Sequence, residues 1–206
     1  MSETEKRGEV QKLSQQEEGG SLEKIQDRLL REGFEGKDVE TVIAMTKDIS
    51  GLNALLFGDN IPFVYVDEDK SGNKRIASYR EADKDDRSKE GFYIFMRGIA
   101  DNANSAMQNL KIWFDGDGKI KNGEIEPGGI AITFDEFMFG LAAHEVRHRV
   151  QQKPDFKKID MGEDIKKEYR GRESEKDARI IGYKAMKALH GGKSMEQIAE
   201  IIGKLD

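Results

Sequence analysis

The stretch that decides the fold is residues 133–154, TFDEFMFGLAAHEVRHRVQQKP. Thr133-Phe134-Asp135-Glu136 has the form of a capping box, in which a Thr and a Glu three residues later satisfy each other's backbone N–H groups. Apolar residues then recur at helical spacing, and the pattern stops at Lys153-Pro154. The stretch therefore predicts a helix with a defined start and end. The recurring apolar residues are Phe137, Leu141, Ala142, Val146 and Val150.

This helix carries the motif H-E-x-x-H as His144-Glu145-Val146-Arg147-His148. Side chains four residues apart share one helical face, about 5–6 Å apart at Cβ, so both imidazoles can bind one metal ion. Glu145 then lies beside a metal-bound water. The motif predicts zinc bound by His144 and His148, with Glu145 as general base. The alternative is a charged amphipathic helix with two surface histidines.

A second acidic motif follows in Arg172-Glu173-Ser174-Glu175-Lys176-Asp177-Ala178, which reads as Glu-x-x-x-Asp. Glu173 is predicted to be the third zinc ligand. Asp177, one turn later, is predicted to accept the free N–H of a ligand imidazole and so fix the ring. Glu168 and Glu175 are the alternative third ligands.

H-E-x-x-H followed by Glu-x-x-x-Asp resembles the gluzincins, the zinc metallopeptidases that include thermolysin-like and minigluzincin groups. The resemblance covers about residues 109–183. It implies a small α+β zincin-like domain with a short mixed sheet, an H-E-x-x-H helix and a C-terminal glutamate helix. It also implies a peptide or protein substrate, which would pair with the strand at 109–114. Candidate oxyanion donors are Tyr169, Arg172, Tyr183 and His190.

Several functions stay open at this point. The first is a zinc-dependent endopeptidase. The alternatives are a latent minigluzincin-like zymogen, a zinc-dependent regulator that cleaves one partner, and a zinc-stabilised interaction module without chemistry. His190 is interpreted as a helix C-terminal histidine, where the helix dipole favours it, rather than as a catalytic group.

Length and composition limit the number of domains, the partners and the cellular location that can be expected of this chain. The 206 residues predict one domain at 21–206 behind a flexible polar tail at 1–20. The net charge of -6 argues against a nucleic-acid partner. A charged fraction of 36% and a mean hydropathy of -0.72 predict a soluble protein that does not enter membranes. Residues 1–7 show no apolar secretory segment, so the expected location is the cytoplasm. There is no cysteine and therefore no disulfide or thiolate ligand. The composition does not specify an oligomeric state.

The remaining elements follow from periodicity. A helical N-terminal part is predicted at 21–58, with helices at 21–30 and 38–57. A sheet is predicted within 61–134, and metal-site helices at 134–206. The sheet segments are 61–66, 75–79, 91–97, 110–114 and 130–134. One long helix is predicted at 163–189 and a short one after Ser194.

Overall fold

The computed structural model describes residues 22–31, 33–34, 36–66, 76–80, 90–95, 98–99, 113–114, 120–121, 132–156, 159, 161–164, 167 and 172–204. In these residues the fold is α+β, as predicted, and none of the helices has the length and apolarity needed to cross a membrane. The helices are α1 (Leu22–Arg31), α2 (Gly36–Phe57), α3 (Phe134–Gln151), α4 (Met161–Asp164), α5 (Glu173–His190) and α6 (Met195–Gly203). The strands are β1 (Phe63–Val66), β2 (Ala77–Arg80), β3 (Gly91–Phe95), β4 (Trp113–Phe114) and β5 (Ile120–Lys121). The predicted tail at 1–20 lies outside the described residues.

The chain divides into two compact units. The first comprises residues 1–43 and 61–101, and the second comprises residues 44–60 and 102–206. The boundary near residue 43 falls within α2, whose later part belongs to the second unit. The sheet β1–β3 therefore lies in the first unit, and α3, α5 and α6 lie in the second.

The first unit contains a three-stranded mixed sheet in the order β1-β3-β2. The central strand β3 runs parallel to β1 and antiparallel to β2, and its Phe92 is paired with Phe63 on one side and Tyr79 on the other. The rings of Phe63 and Tyr79 each contact the Phe92 ring, with centroids 5.7 Å and 5.3 Å from that of Phe92. Such cross-strand aromatic pairs stabilise a sheet and fix its register. Next to Phe92, Gly91 is required, because a Cβ there would lie 2.8 Å from the Pro62 carbonyl oxygen.

The N-terminus of α3 confirms the predicted capping box. The Glu136 backbone N–H donates to Thr133 Oγ1, and the Thr133 N–H donates to Glu136 Oε2 at 2.7 Å. The strand predicted at 130–134 is therefore wrong at its end, since Phe134 is already helical. β4 pairs with β5 as an antiparallel hairpin. Residues 109–112 of the predicted substrate strand lie outside the described residues.

The single long helix predicted at 163–189 is wrong. It is divided into α4, ending at Asp164, and α5, beginning at Glu173. The Asp164 carboxylate accepts the backbone N–H groups of Glu173 and Ser174 and the Ser174 hydroxyl. These N–H groups have no partner within α5, so Asp164 caps it from outside. Burial would raise the pKa of Asp164, but these hydrogen bonds lower it to about 2.

Asp48 is expected to make the second unit less stable at neutral pH. Its burial in α2 and the nearby Asp135 charge raise its pKa from 3.8 to about 6. Because the folded state binds this proton more tightly than the unfolded chain, stability falls as pH rises from about 4 to about 6 and then stays lower. Asp48→Asn should therefore raise the free energy of unfolding by on the order of 1 kcal/mol at about pH 7.5. Near pH 4 the substitution should leave the free energy of unfolding unchanged.

Urea unfolding of both proteins at the two pH values checks this expectation. Asp135→Asn, which removes only the neighbouring charge, should give a smaller gain with the same pH dependence. An equal gain at both pH values would contradict the assignment to Asp48 ionisation.

Candidate metal centre

Two glycines set the distance between α3 and α5. A Cβ on Gly182 would lie 2.6 Å from the Gly140 carbonyl oxygen and 3.3 Å from His144 Cβ. A Cβ on Gly140 would lie 3.2 Å from Met186 Cβ. The two backbones therefore approach more closely than any larger residue at these positions allows. This contact places the side chains of one turn of α3 directly against α5.

His144, His148 and Glu175 converge at this contact. One ligand atom of each residue lies within 4.8 Å of the other two. His144 Nε2 and His148 Nε2 are 3.1 Å apart, and each lies 3.6 Å from a Glu175 carboxylate oxygen. The two rings meet edge to face. Two ligand atoms that bind one tetrahedral ion at about 2.0–2.2 Å lie about 3.3–3.6 Å apart. The two separations to Glu175 are at the upper end of this range and the 3.1 Å between the nitrogens is slightly below it, so the three groups lie close to the spacing around a shared metal ion.

The structure does not bring the predicted third ligand, Glu173, to this group. Glu173 is 52% exposed and forms an ion pair with Lys176 at 2.9 Å, whereas the Glu175 side chain is 9% exposed. The reason is helical phase. Glu175 lies about two turns before Gly182 and so on the same face, while Glu173 is about half a turn out of phase. The sequence could indicate that Glu175 lies near the histidines only once Gly182 was known to face α3.

Glu145 lies beside the cluster, as predicted. Its side chain is buried on α3, and its Oε1 is 4.0 Å from His144 Nε2. It therefore brings a second carboxylate to the same place without being one of the three convergent groups. In an H-E-x-x-H site this is the position of a group that receives a proton from a metal-bound water.

The charges of the cluster reinforce one another. Burial would raise the pKa of Glu175, but the facing imidazoles of His144 and His148 hold it well below its usual range. Burial would also lower the pKa of His148, yet the neighbouring Glu175 and Glu145 carboxylates raise it. Glu175 is therefore an ionised carboxylate that faces two imidazoles.

The position of His148 is fixed from behind by Gln151, a residue that the sequence reasoning missed. His148 Nδ1 lies 2.9 Å from Gln151 Oε1. The Gln151 amide nitrogen donates to the Ser174 carbonyl at 2.9 Å and to Asp177 Oδ2 at 3.0 Å. Gln151 follows His148 by three residues, about one turn, and this spacing was the available signal.

Asp177 consequently has a different role from the predicted one. It was expected to accept an N–H from a ligand imidazole, but its carboxylate accepts from Gln151 and from Arg147. The link to His148 thus runs through Gln151. The prediction put Asp177 behind the metal and missed the Gln151 amide that lies between Asp177 and His148.

Arg147 holds this arrangement from inside the second unit. Its side chain is 1% exposed, and its Nε donates to Asp177 Oδ2 at 2.6 Å. Its Nη1 donates to the carbonyls of Ile202 and Lys204 at the end of α6, and its guanidinium lies 4.9 Å from the Phe156 ring centroid. The variable position of the motif is therefore a buried ionic contact between α3, α5 and α6.

The other candidate site residues have no described contact with the cluster of His144, His148 and Glu175. His190 Nδ1 lies 2.9 Å from Glu136 Oε1, about 12 Å along α3 from His144, consistent with a structural histidine. Arg172 donates to the Lys167 carbonyl, and Tyr183 is half-buried next to Gly182. Tyr169 and Glu168 lie outside the described residues. No contact therefore assigns an oxyanion donor among the described residues.

Comparison with known proteins does not assign the chain to a family. The chain matches no protein-family model, no curated protein and no solved structure. The function must therefore be argued from the site.

Arg147→Met should destabilise the protein by about 3–5 kcal/mol, because it leaves the Asp177 carboxylate buried without its cation. Lys176→Met is a matched control, since it removes a cation from the exposed pair with Glu173. The control should change stability by less than about 1 kcal/mol. Urea unfolding at neutral pH, with metal removed by chelation, measures both. Equal effects of the two substitutions would contradict the role given to Arg147.

Proposed function

We propose that the chain is a zinc-dependent peptidase, with zinc bound by His144, His148 and Glu175 and with Glu145 as general base. The observation that carries this proposal is the convergence of two Nε2 atoms and one carboxylate at separations close to those of a tetrahedral site. Two imidazoles and one carboxylate are a common ligand set of catalytic zinc, which keeps one position for water.

The electrostatics support the same ligand set. A metal ligand must be deprotonated, and Glu175 is held ionised by its two neighbours. His148 is oriented by Gln151 so that its Nε2 faces the cluster. All three ligands lie on helices rather than loops, an arrangement that keeps a site in place before metal binds.

The proposed chemistry is hydrolysis of a peptide bond. When bound, zinc would supply a water of lowered pKa and polarise the substrate carbonyl. Glu145 would accept the proton of the attacking water and deliver it to the leaving amine. For this role Glu145 needs to lie close to the cluster without being used to hold the metal, and its 4.0 Å separation from His144 Nε2 meets that requirement.

The proposal keeps the resemblance to gluzincins with one change, since Glu175 replaces Glu173 in the ligand set. The proposed substrate is a peptide or protein. The proposed location is the cytoplasm. A zinc-stabilised interaction module would use the same three ligands but would have no need of Glu145.

The ligand assignment is tested by two glutamates on the same helix. Glu175→Gln should lower zinc affinity by at least about tenfold, because it replaces a charged ligand with an amide. Glu173→Gln, the matched control, removes an exposed carboxylate and should leave the affinity unchanged. Competition with a zinc chelator measures both dissociation constants. A loss of zinc affinity confined to Glu173→Gln would make Glu173 the third ligand, as first predicted. If the unmodified chain binds no zinc, the proposal is contradicted.

Glu145→Gln separates an enzyme from a structural zinc site. The variant should keep its zinc and lose at least about 100-fold in hydrolysis rate, since it cannot accept a proton. The assay follows cleavage of an unstructured protein such as casein, with zinc content measured on the same samples. If zinc is bound but the wild type cleaves no more than the variant, the peptidase proposal is contradicted and the interaction module remains.

A further inference from the structure

The buried amide of Gln151 can adopt only one useful orientation. Its nitrogen lies within hydrogen-bond distance of two acceptors, the Ser174 carbonyl oxygen and Asp177 Oδ2. Neither acceptor carries a proton to give, because one is a carbonyl and the other belongs to a carboxylate paired with Arg147. The NH₂ group must therefore face these two atoms, and Oε1 must face His148.

This orientation determines which nitrogen of His148 carries the proton. Gln151 Oε1 accepts hydrogen bonds and cannot donate one. His148 Nδ1, 2.9 Å away, must therefore be the donor. A neutral imidazole with its proton on Nδ1 has a lone pair on Nε2, the atom that faces His144 and Glu175.

We propose that Gln151 is a positioning residue that holds His148 as the Nδ1–H tautomer, and that the Arg147–Asp177 ion pair keeps the Gln151 amide in the orientation this requires. The inference rests on the proposed function, in which His148 Nε2 is a zinc ligand. The inference gives a specific role to three buried side chains. Arg147, Gln151 and Asp177 are 1%, 2% and 7% exposed. Dry surroundings exclude water that would otherwise exchange for these hydrogen bonds.

The ion pair is well placed for this task. Asp177 Oδ2 accepts from Arg147 Nε at 2.6 Å and from Gln151 Nε2 at 3.0 Å. Arg147 in turn donates to the Ile202 and Lys204 carbonyls. A continuous set of hydrogen bonds thus connects the end of α6 with the proposed ligand, through groups that each have a fixed donor or acceptor role.

The test combines histidine tautomers with zinc affinity. Long-range ¹H–¹⁵N correlation spectra of the metal-free full chain at alkaline pH distinguish the two neutral tautomers. The unmodified protein should show His148 with its proton on Nδ1. Zinc affinity is measured separately by chelator competition. A spectrum with the proton on His148 Nε2 would overturn the inference without any substitution.

Two variants separate positioning from packing. Gln151→Met keeps the length of the side chain but offers no acceptor, so His148 should populate both tautomers and zinc affinity should fall by about tenfold. Gln151→Glu keeps an acceptor for Nδ1–H but repels Asp177, so the melting temperature should fall while the tautomer is kept and zinc affinity stays within about threefold.

The possible failures are distinguishable. If Gln151→Met retains both the wild-type tautomer and the wild-type zinc affinity, the positioning role is wrong and the zinc site stands. If the unmodified chain binds no zinc, or Glu175→Gln binds it as tightly, the proposed function fails first. A purely structural Gln151 would make the two variants alike, with lower melting temperatures and an unchanged His148 tautomer.

Discussion

The close contact between Gly140 and Gly182 is the constraint on which the candidate site depends. A Cβ at Gly182 would overlap the carbonyl oxygen of the facing helix, so even alanine would push α3 and α5 apart. The Nε2 atoms of His144 and His148 each lie only 3.6 Å from a Glu175 carboxylate oxygen across this contact. A separation of the helices by a fraction of an ångström would therefore act directly on the cluster. Glycine is unfavourable within a helix by about 1 kcal/mol, and the contact offsets this cost.

A buried ion pair joins the same two helices about two turns further along α3. The desolvation of Arg147 and Asp177 is costly, and such pairs are weak evidence for stability by themselves. Here the charges are saturated by hydrogen bonds to Gln151 and to the two carbonyls at the end of α6. An apolar replacement of the pair could fill the same volume, but it could not orient an amide. The arrangement therefore favours a role in geometry over a role in stability.

Features of the fold and the candidate site that depend on residues close together in the sequence could be predicted from it, and features that depend on contacts between separate helices could not. The capping box at Thr133, the extent of α3 and the convergence of His144 with His148 depend on neighbours within about one turn, and the sequence predicted all three. The third convergent residue depends on where α5 begins and which face it presents. Both are set by groups distant in sequence, namely Asp164, which caps α5, and Gly140, which faces Gly182. The Glu-x-x-x-Asp pattern favoured Glu173 as the third ligand, whereas the packing of α5 brings Glu175 to the histidines.

The distribution of charge around α3 gives the proposed metal its physical rationale. Arg147 is the fully buried cation on this helix, and it is committed to Asp177. Arg149 is directed to Asp59 and Asn53 at the end of α2. The carboxylates of Glu145 and Glu175 lie within 4.0 Å of imidazole nitrogens. Two carboxylates beside two imidazoles form a donor set that one divalent cation would balance, and the low exposure of the cluster would strengthen that attraction compared with a surface site.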